Sequence, residues 1–440
     1  MRKIIIFLLL AVFFGAGCTL HRIDPNKGTP IEVAVFDGGY GLGWYRKIAR
    51  SYEATHPTVK INLWGDPRVD QEIEPRILRG DPPDLANAGL PIWKLIVAGQ
   101  LYPLDHTLDS PAYGQPGLTW RQTLVPGILR DFQYRGKTYA MPSNLGAWVC
   151  WYNERQFRRH GWKVPHTWGQ FTRLCDQIKA SGIAPLAFQG KYPSYAWPTL
   201  LSLYERLVPM KRWYAVQNLE PGAFMDPQFI HAARLLQQMA VRYFEPGALA
   251  MTHTESQMEW VNGRAALVFC GLWLENEMKN AIPPGFEMAC FPVPTIKGGK
   301  GDPNAVYGGG GEDFFVFAHA KHPKLASDFL KYMLSKENSH SYIHQLDTLS
   351  PVRDSTRGIT LSPELQSAEK IVAHCSFFFQ DRLTTLYPGF GDTVLQDALI
   401  DLLANRITPE QFARRLEAGA DKIRRDPDIY KPPPMDPPEE

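Results

Sequence analysis

The feature that most constrains the fold of this chain is a run of four glycines that leads into an apolar strand pattern. Residues 308–311 are all glycine, residues 314–317 read FFVF, and the turn HAKHPK follows. Beyond the turn, apolar residues recur at helical spacing and define one face; they are Leu325, Ala326, Phe329, Leu330, Met333 and Leu334. This order predicts a strand, a turn and an amphipathic helix of an α/β protein. The glycines either let the backbone approach a ligand or only give a hinge its freedom.

Upstream of this segment, strand patterns alternate with helix patterns. Residues 31–36 read IEVAVF and predict a first strand, and residues 45–56 predict an amphipathic helix. A second strand at residues 59–64 and a second helix at residues 68–79 continue the alternation. Such alternation predicts a parallel sheet, which binds ligands at the carboxyl ends of its strands.

The first eighteen residues have the pattern of a processing signal. Two basic residues precede an apolar run that is too short to span a bilayer, and the small residues GAG stand directly before Cys18. The pattern resembles a bacterial lipobox, whose cysteine becomes the acylated N-terminus and holds a domain at the membrane. An ordinary secretory signal followed by a chance cysteine is the alternative. The polar residues after Cys18, up to residue 30, predict a flexible tether.

Composition and charge bound the class of protein. The chain has 440 residues, 44% of them hydrophobic, which is enough for two lobes with sizeable cores. Its formal net charge of +2 is close to balance, so neither nucleic acid nor an anionic surface is predicted as a partner. The 12 histidines show no HExxH or comparable spacing, so we predict neither a metal site nor a cofactor.

The cysteines after Cys18 show no regular framework. There are five, at positions 150, 175, 270, 290 and 375, and no CxxC motif is present. An odd set outside the cytoplasm leaves at least one thiol unpaired, and we predict that most are small buried hydrophobic residues. A bridge between Cys270 and Cys290 stays open, since only their proximity in sequence favours it.

Several segments resemble, in order, the sugar-type extracellular solute-binding proteins, which are the receptors of ABC importers. Residues 305–353 resemble the late segment of that family in the pieces AKHPK, FL and SPVR. Earlier pieces are GDPPDL at residues 80–85, GKTYAMP at residues 136–142 and GLW at residues 271–273. Each motif is loose, but their order holds over about residues 1–425.

The resemblance implies a fold and a way of working. The fold is α/β and periplasmic-binding-protein-like, with two α/β lobes, a multi-crossing hinge and a ligand cleft between the lobes. Such a protein is a monomer that captures a sugar outside the cytoplasm, in the periplasm or at the cell surface, and delivers it unaltered to a permease. The predicted segments are a lipoprotein signal peptide (1–17), a tether (18–30), an N-terminal lobe (31–142 plus 306–346), a C-terminal lobe (143–305 plus 347–425) and a disordered proline-rich tail (426–440).

A sugar site requires flat aromatic surfaces for the C–H faces of the ring and polar groups in the plane of the ring. The aromatic candidates follow predicted strand ends; they are Tyr40, Trp148, Tyr195, Trp197, Trp273 and Phe390. A place in the core is an equal expectation for Trp148 and Trp197, because large aromatic residues are usually buried. The resemblance places Trp273 at the cleft.

The polar candidates stand at strand ends or near the hinge; they are Asp37, Asn87, Asn144, Glu312, Asp313 and Arg353. For Arg353 two roles stay open, either a clamp on a pair of sugar hydroxyls or an ion pair between the lobes. The stretch over residues 182–195 looks like receptors for N-acetylglucosamine or its β-linked disaccharide.

Two alternatives of a different class stay open. A secreted carbohydrate-active enzyme requires two convergent carboxylates, for which Glu275, Glu312 and Asp313 are the candidates. A sugar receptor that feeds a membrane sensor would share the binding site and differ only in its partner.

Overall fold

The computed structural model of the chain describes residues 28–435. The predicted signal peptide, Cys18, nearly all of the predicted tether and the last five residues of the predicted tail lie outside the described residues. None of the helices within residues 28–435 combines the length and the apolar character that a membrane span requires.

Strands and helices alternate along most of the chain. The strands are β1 (Thr29–Phe36), β2 (Val59–Asp66), β3 (Leu85–Asn87), β4 (Pro111–Ala112), β5 (Gln115–Thr119), β6 (Gln133–Tyr134), β7 (Lys137–Thr138), β8 (Met141–Asn153), β9 (Ala184–Ala187), β10 (Ala265–Gly271), β11 (Met288–Pro292), β12 (Val306–Val316) and β13 (Phe378–Phe379). The α-helices are α1 (Gly43–Thr55), α2 (Val69–Leu78), α3 (Ile92–Val97), α4 (Asp105–Leu108), α5 (Glu154–His160), α6 (Trp168–Ala180), α7 (Ala196–Leu207), α8 (Met210–Gln217), α9 (Pro227–Tyr243), α10 (His253–Val261), α11 (Leu274–Met278), α12 (Pro323–Met333), α13 (Lys336–Leu346), α14 (Pro363–Ala373), α15 (Leu383–Leu386), α16 (Gln396–Leu403) and α17 (Pro409–Arg425).

One nine-stranded sheet runs through both lobes of the molecule. Its order is β2-β1-β3-β12-β8-β10-β9, with β11 paired to β8 and β13 paired to β12. β1 is parallel to β2 and β3, as the alternation of strands and helices predicts, and β9 is parallel to β10 at the other end. We call the part around β1, β2 and β3 the first lobe, and the part around β9, β10 and β11 the second lobe.

Two long strands cross from one lobe to the other. β8 pairs with β12 over residues 141–147 and with β10 over residues 148–152. β12 in turn pairs with β3 over residues 314–316. The isolated bridge between Leu145 and Leu349 adds another connection at the same place. These crossings form the multi-crossing hinge that the resemblance implies, while the exact lobe boundaries stay a prediction.

β12 is longer than the sequence predicts, because the strand includes the glycine run. The prediction begins the strand at Phe314, whereas the strand spans Val306–Val316. The four glycines pair with residues 144–147 through the backbone, and backbone pairing does not require side chains. The next helix, α12, buries the predicted apolar face, namely Ala326, Phe329, Leu330 and Met333.

Each lobe has its own apolar core beside the shared sheet. In the second lobe, α7, α9 and α17 pack together around Phe229, which is fully buried and stacks with Phe412 at a ring-centroid distance of 6.4 Å. In the first lobe, Trp44 of α1 meets Tyr342 of α13 edge-on at 4.8 Å. α13 therefore belongs to the first lobe, and the chain returns to the hinge directly after it.

The proline-rich tail differs from the predicted disorder over residues 426–435, which lie against the body of the molecule. The Met435 amide donates to Asn218 Oδ1 at 2.8 Å, and Asn218 Nδ2 donates to the Met435 carbonyl at 2.9 Å. Tyr430 meets Tyr134 of the first lobe edge-on, with 6.2 Å between ring centroids. These contacts are made by the Asn218 side-chain amide and the rings of Tyr430 and Tyr134. Such single contacts leave no periodic pattern in the sequence, so the composition of the tail does not predict them.

The five cysteines in the described part of the chain are all unpaired. Cys270 and Cys290 lie on β10 and β11, which both pair with β8, and no bridge joins them. Burial raises the pKa of the Cys290 thiol to about 12, so this side chain is a neutral, weakly polar group.

Candidate ligand-binding cleft

A cavity of about 450 Å³ lies between the two lobes, beside the crossing strands. We call it the main cavity. Its floor is formed by residues 144–147 of β8 and residues 308–312 of β12. Tyr40 and Thr348 line it next to the first lobe, and the second lobe contributes the rings of Trp148, Tyr195 and Trp273. The main cavity is therefore lined both by aromatic rings, which we call the aromatic wall, and by polar groups, which we call the polar wall.

The aromatic wall consists of three neighbouring rings. The centroid of Trp148 lies 5.8 Å from that of Tyr195 and 6.4 Å from that of Trp273. Trp148 is 5% exposed, and its Nε1 donates to Thr199 Oγ1 at 2.9 Å, so the second-lobe core holds this indole in place. Tyr195 and Trp273 are only half-buried. Rings of this kind supply the flat apolar surface on which the C–H faces of a sugar pack.

Local backbone features bring these rings to the cavity. Gly271 ends β10, and a Cβ on it would overlap the Trp273 ring, so the missing side chain makes room for the indole. Trp273 is the N-cap residue of α11. Tyr195 ends the 3-10 turn Pro193–Tyr195, and its ring meets His253 of α10 at a centroid distance of 4.4 Å.

The polar wall presents hydroxyl, amide and carboxylate groups. Tyr40 Oη and Thr348 Oγ1 form a hydrogen bond of 3.2 Å, and burial raises the pKa of Tyr40 to about 12, so the phenol is neutral. Glu312 has a φ of 51°, and the pairing of β12 with β8 skips it. Burial raises the pKa of Glu312, while a hydrogen bond from Asn87 opposes the rise. Such a wall offers both donors and acceptors to sugar hydroxyls.

Part of the floor of the main cavity, at residues 308–311, is backbone because the glycine run has no side chains. Gly308 and Gly309 have φ values of 151° and 136°. A Cβ on Gly308 would overlap the Gly146 carbonyl oxygen, and a Cβ on Gly311 would lie 2.7 Å from Asn144 Oδ1. The close approach of β8 and β12 therefore requires glycine here, and it leaves the peptide groups facing the cavity.

Six of the twelve predicted ligand-binding residues line the main cavity: Tyr40, Asn144, Trp148, Tyr195, Trp273 and Glu312. The structure does not bring the other six to it: Asp37, Asn87, Trp197, Asp313, Arg353 and Phe390.

Two of the predicted aromatic residues lie in the second-lobe core instead. Trp197 is 2% exposed and meets Phe229 edge-on, because it stands on the inner face of α7 rather than on the preceding loop. Phe390 is 3% exposed and packs near Phe224. Phe390 begins the π-helical segment Phe390–Leu395, so both rings belong to helical segments whose buried faces pack in the second-lobe core, and both predictions are corrected.

The remaining predicted polar residues support the fold or lie elsewhere. Asp37 is half-buried at the end of β1, where its amide bonds to the Asp66 carbonyl. Asn87 is 4% exposed and donates to the Asp313 carbonyl at 3.2 Å, so it braces β12 against β3. Arg353 is exposed and makes no ion pair between the lobes among the described residues. Asp313 lines a neighbouring cavity, which is described below.

Sequence reasoning missed four residues with polar side chains at the main cavity: Ser194, Tyr307, Thr348 and Gln380. Thr348 is 1% exposed and reaches the cavity because α13 ends at Leu346 and its left-handed C-cap residue, Asp347, turns the chain. Gln380 follows the two-residue strand β13, which carries too few residues to show a period. Within residues 28–435, no group of three or more His, Cys, Asp and Glu side chains is placed to hold a metal ion.

Comparison with other proteins gives consistent matches over most of the chain. A profile of the family described as bacterial extracellular solute-binding protein matches residues 38–339. The chain is 27% identical over 320 residues to the diacetylchitobiose binding protein NgcE of Streptomyces coelicolor. The aligned region covers 71% of this chain and 67% of that protein. It is 23% identical over 342 residues to the multiple sugar-binding protein of Streptococcus mutans, covering 74% and 76% of the two chains.

Solved structures share the fold at low sequence identity. A protein studied for xylan utilization by the thermophilic bacterium Caldanaerobius polysaccharolyticus superposes with a TM-score of 0.73 at 22% identity, covering 89% of this chain and 99% of that one. A chitin oligosaccharide binding protein superposes with a TM-score of 0.69 at 20% identity, covering 90% and 98%. These two structures establish the two-lobed fold of the chain.

Proposed function

Because the chain belongs to the family of bacterial extracellular solute-binding proteins, we propose that its main cavity captures a sugar or short oligosaccharide for an ABC transporter. The single observation that carries this proposal is that the aromatic wall and the polar wall line the same cavity. Trp148, Tyr195 and Trp273 offer apolar faces, and Tyr40, Thr348 and Glu312 offer donors and acceptors. A pyranose ring has this same division between its C–H faces and its equatorial hydroxyls.

The sugar class favoured by these findings is N-acetylglucosamine or its β-linked disaccharide. The Streptomyces relative is named for binding diacetylchitobiose, and one structural neighbour is named for binding chitin oligosaccharides. The stretch over residues 182–195 points in the same direction, and its last residue, Tyr195, lines the main cavity.

Capture works by closure of two lobes around the ligand. β8 and β12 connect the lobes, and the main cavity lies beside these strands, so rotation about them changes the distance between the two walls. A ligand that contacts both walls stabilises the closed form by its preference for that form. The closed form then docks on the permease subunits and releases the sugar unaltered.

The protein acts outside the cytoplasm, as its family does. We place it on the membrane through a lipid on Cys18, with residues 18–30 as the tether, and as a monomer. This placement rests on the lipobox-like sequence, which lies outside the described residues.

We propose that the protein binds without catalysis, as expected for a family of solute-binding proteins. Glycoside hydrolysis uses two carboxylates about 5 to 9.5 Å apart on either side of the bond to be cleaved. Within the described residues, Glu312 is the carboxylate that lines the main cavity, whereas Asp313 lines a neighbouring one. Glu275 lies in neither cavity.

A thermal-shift panel tests the proposed function. The panel contains N-acetylglucosamine, N,N′-diacetylchitobiose, xylobiose, maltose and raffinose, each at millimolar concentration, with the purified protein. We expect at least one sugar to raise the melting temperature and to be recovered intact after incubation. No shift with any sugar would contradict sugar capture, and released monosaccharide would contradict binding without catalysis.

A further inference from the structure

A second, smaller cavity of about 140 Å³ adjoins the main cavity. We call it the side cavity. Gly310 and Gln380 line both cavities, so the two are neighbours across a position that has no side chain. Trp93 and Asp131 of the first lobe and Arg382 of the second lobe also line the side cavity. Like the main cavity, it is therefore built from both lobes.

The side cavity contains buried polar atoms without partners. Arg382 is 8% exposed, and its Nε has no hydrogen-bond partner among residues 28–435. Asp313 Oδ1 is also buried without a partner. A buried donor or acceptor that lacks a partner destabilises the folded state, so folding leaves two groups whose interactions a ligand can complete.

The charges around the side cavity favour a neutral, hydroxyl-rich ligand. The side cavity is lined by three carboxyl side chains, Asp131, Asp313 and Asp381, which disfavour an acidic group. The buried guanidinium of Arg382 disfavours a cation. A sugar hydroxyl donates to a carboxylate and accepts from a guanidinium, so it satisfies both kinds of group. Trp93 adds an indole, with the Arg382 guanidinium 5.9 Å from its ring centroid.

Contacts between the lobes already fix the polar groups of the side cavity. Gln380 Nε2 donates to Asp131 Oδ2 at 2.9 Å, which joins the two lobes at the boundary of both cavities. The Arg382 amide donates to Gln217 Oε1 at 2.9 Å and holds the start of α15. The side chains of Asp131 and Gln380 are therefore positioned before any ligand arrives, which lowers the entropic cost of binding.

We propose that the side cavity is a second saccharide subsite, so that the protein takes a ligand of at least two rings. One ring packs against the aromatic wall of the main cavity, and the next lies beyond Gly310 against Arg382, Asp313 and Trp93. This inference rests on the proposed function, and it names the size of ligand that the site selects.

Titration calorimetry with matched mono- and disaccharides tests the second subsite. The pairs are N-acetylglucosamine with N,N′-diacetylchitobiose, xylose with xylobiose, and glucose with maltose. For the pair that binds, we expect the disaccharide to bind wild type at least about tenfold more tightly than the monosaccharide. Arg382→Met should remove most of that preference and leave the monosaccharide affinity unchanged. Arg353→Met, a change of the same type at an exposed arginine outside both cavities, should change neither affinity.

Three further outcomes complete the test. If Arg382→Met does not unfold cooperatively and is therefore misfolded, Trp93→Leu takes its place. Trp93→Leu should show the same selective loss of disaccharide affinity. Equal affinities for the two members of the pair, or an equal loss for both in each side-cavity variant, would overturn the second subsite and leave sugar capture standing. Tighter binding of glucuronic acid than of the neutral sugars, lost in Arg382→Met, would also overturn it. No binding of any sugar by wild type would instead reject the proposed function.

Discussion

Folding leaves some residues of the cleft partly exposed to solvent and buries the polar groups of others. Trp273 stays half-buried, and its ring occupies the space that a side chain on Gly271 would fill. Asp313 on β12 has a carboxylate oxygen that folding buries away from water. The first provides binding surface, and the second carries a cost that depends on pH.

Asp313→Asn should make the protein more stable at neutral and alkaline pH. Burial, with the nearby charges of Glu312 and Asp131, raises the pKa of Asp313 from 3.8 to about 7. Between these two values the folded protein binds a proton that the unfolded chain has lost, so stability falls as pH rises from about 4 to about 7. Above pH 7 the full cost is present, roughly 2–4 kcal/mol.

Urea unfolding at pH 4, 6 and 8 measures this effect. The variant should exceed wild type by most at pH 8 and approach it at pH 4. Asp392→Asn, the same substitution at an exposed position, should follow the wild-type pH dependence. If the free energy of unfolding changed with pH in the same way for Asp313→Asn and wild type, burial of the Asp313 carboxylate would not be the cause of the loss of stability.

At the residue scale, the sequence predicted the aromatic wall better than the polar groups. Trp273 follows a clear strand, and its neighbours in sequence resemble the family's motif. Thr348 and Gln380 reach the main cavity through a helix end and a two-residue strand, where local pattern carries little information. The sequence predicted the residue type required for a sugar site, whereas contacts between distant segments decided which residues provide it.

At the scale of elements, β12 is the strand on which both cavities depend. It pairs with β3 in the first lobe and with β8 at the crossing, and its glycines form the floor of the main cavity. The sequence predicted the strand from residue 314 and the helix α12 after it, because apolar periodicity marks both. It did not place the glycines inside the strand, because glycine is depleted from strands in general and here serves a close approach of two backbones.

Gly308→Ala should destabilise the protein, whereas Gly89→Ala should not. Gly308 has a φ of 151°, and a Cβ there would overlap the Gly146 carbonyl. Gly89 has open space around its Cβ position and lies outside the positive-φ region. We expect a loss of roughly 1–3 kcal/mol for Gly308→Ala, measured by the urea midpoint. An unchanged midpoint would mean that β8 and β12 separate easily at this position.

At the scale of the whole molecule, two lobes share a sheet through β8 and β12 and enclose the cleft between them. The family resemblance predicted this architecture, because the order of its motifs extends over most of the chain. The contacts of residues 426–435 with both lobes were not predicted, since they depend on single side chains such as Asn218 and Tyr134.

Sugar binding should bring the lobes together. Spin labels at Leu78→Cys on α2 and Val241→Cys on α9 report the distance between the lobes, since both positions are exposed, at 89% and 56%. Cys375 is half-buried and is replaced by serine to keep it unlabelled, while the other cysteines of the described residues are buried. A saturating sugar should shift the distance distribution to shorter values. A distance distribution that stays unchanged when sugar is added would contradict closure about the hinge.

The measurement that tests the central claim most directly is titration calorimetry of wild type, Trp273→Ala and Trp64→Ala with the sugar that gives the largest thermal shift. Trp64 is also half-buried but lies on β2, where its Nε1 donates to Glu32, outside the cleft. We predict that Trp273→Ala weakens binding at least about tenfold, because a stacked ring contributes about 1 kcal/mol beyond the area it buries. Trp64→Ala should bind as wild type does. Equal affinity in all three proteins would contradict capture of a sugar against the aromatic wall.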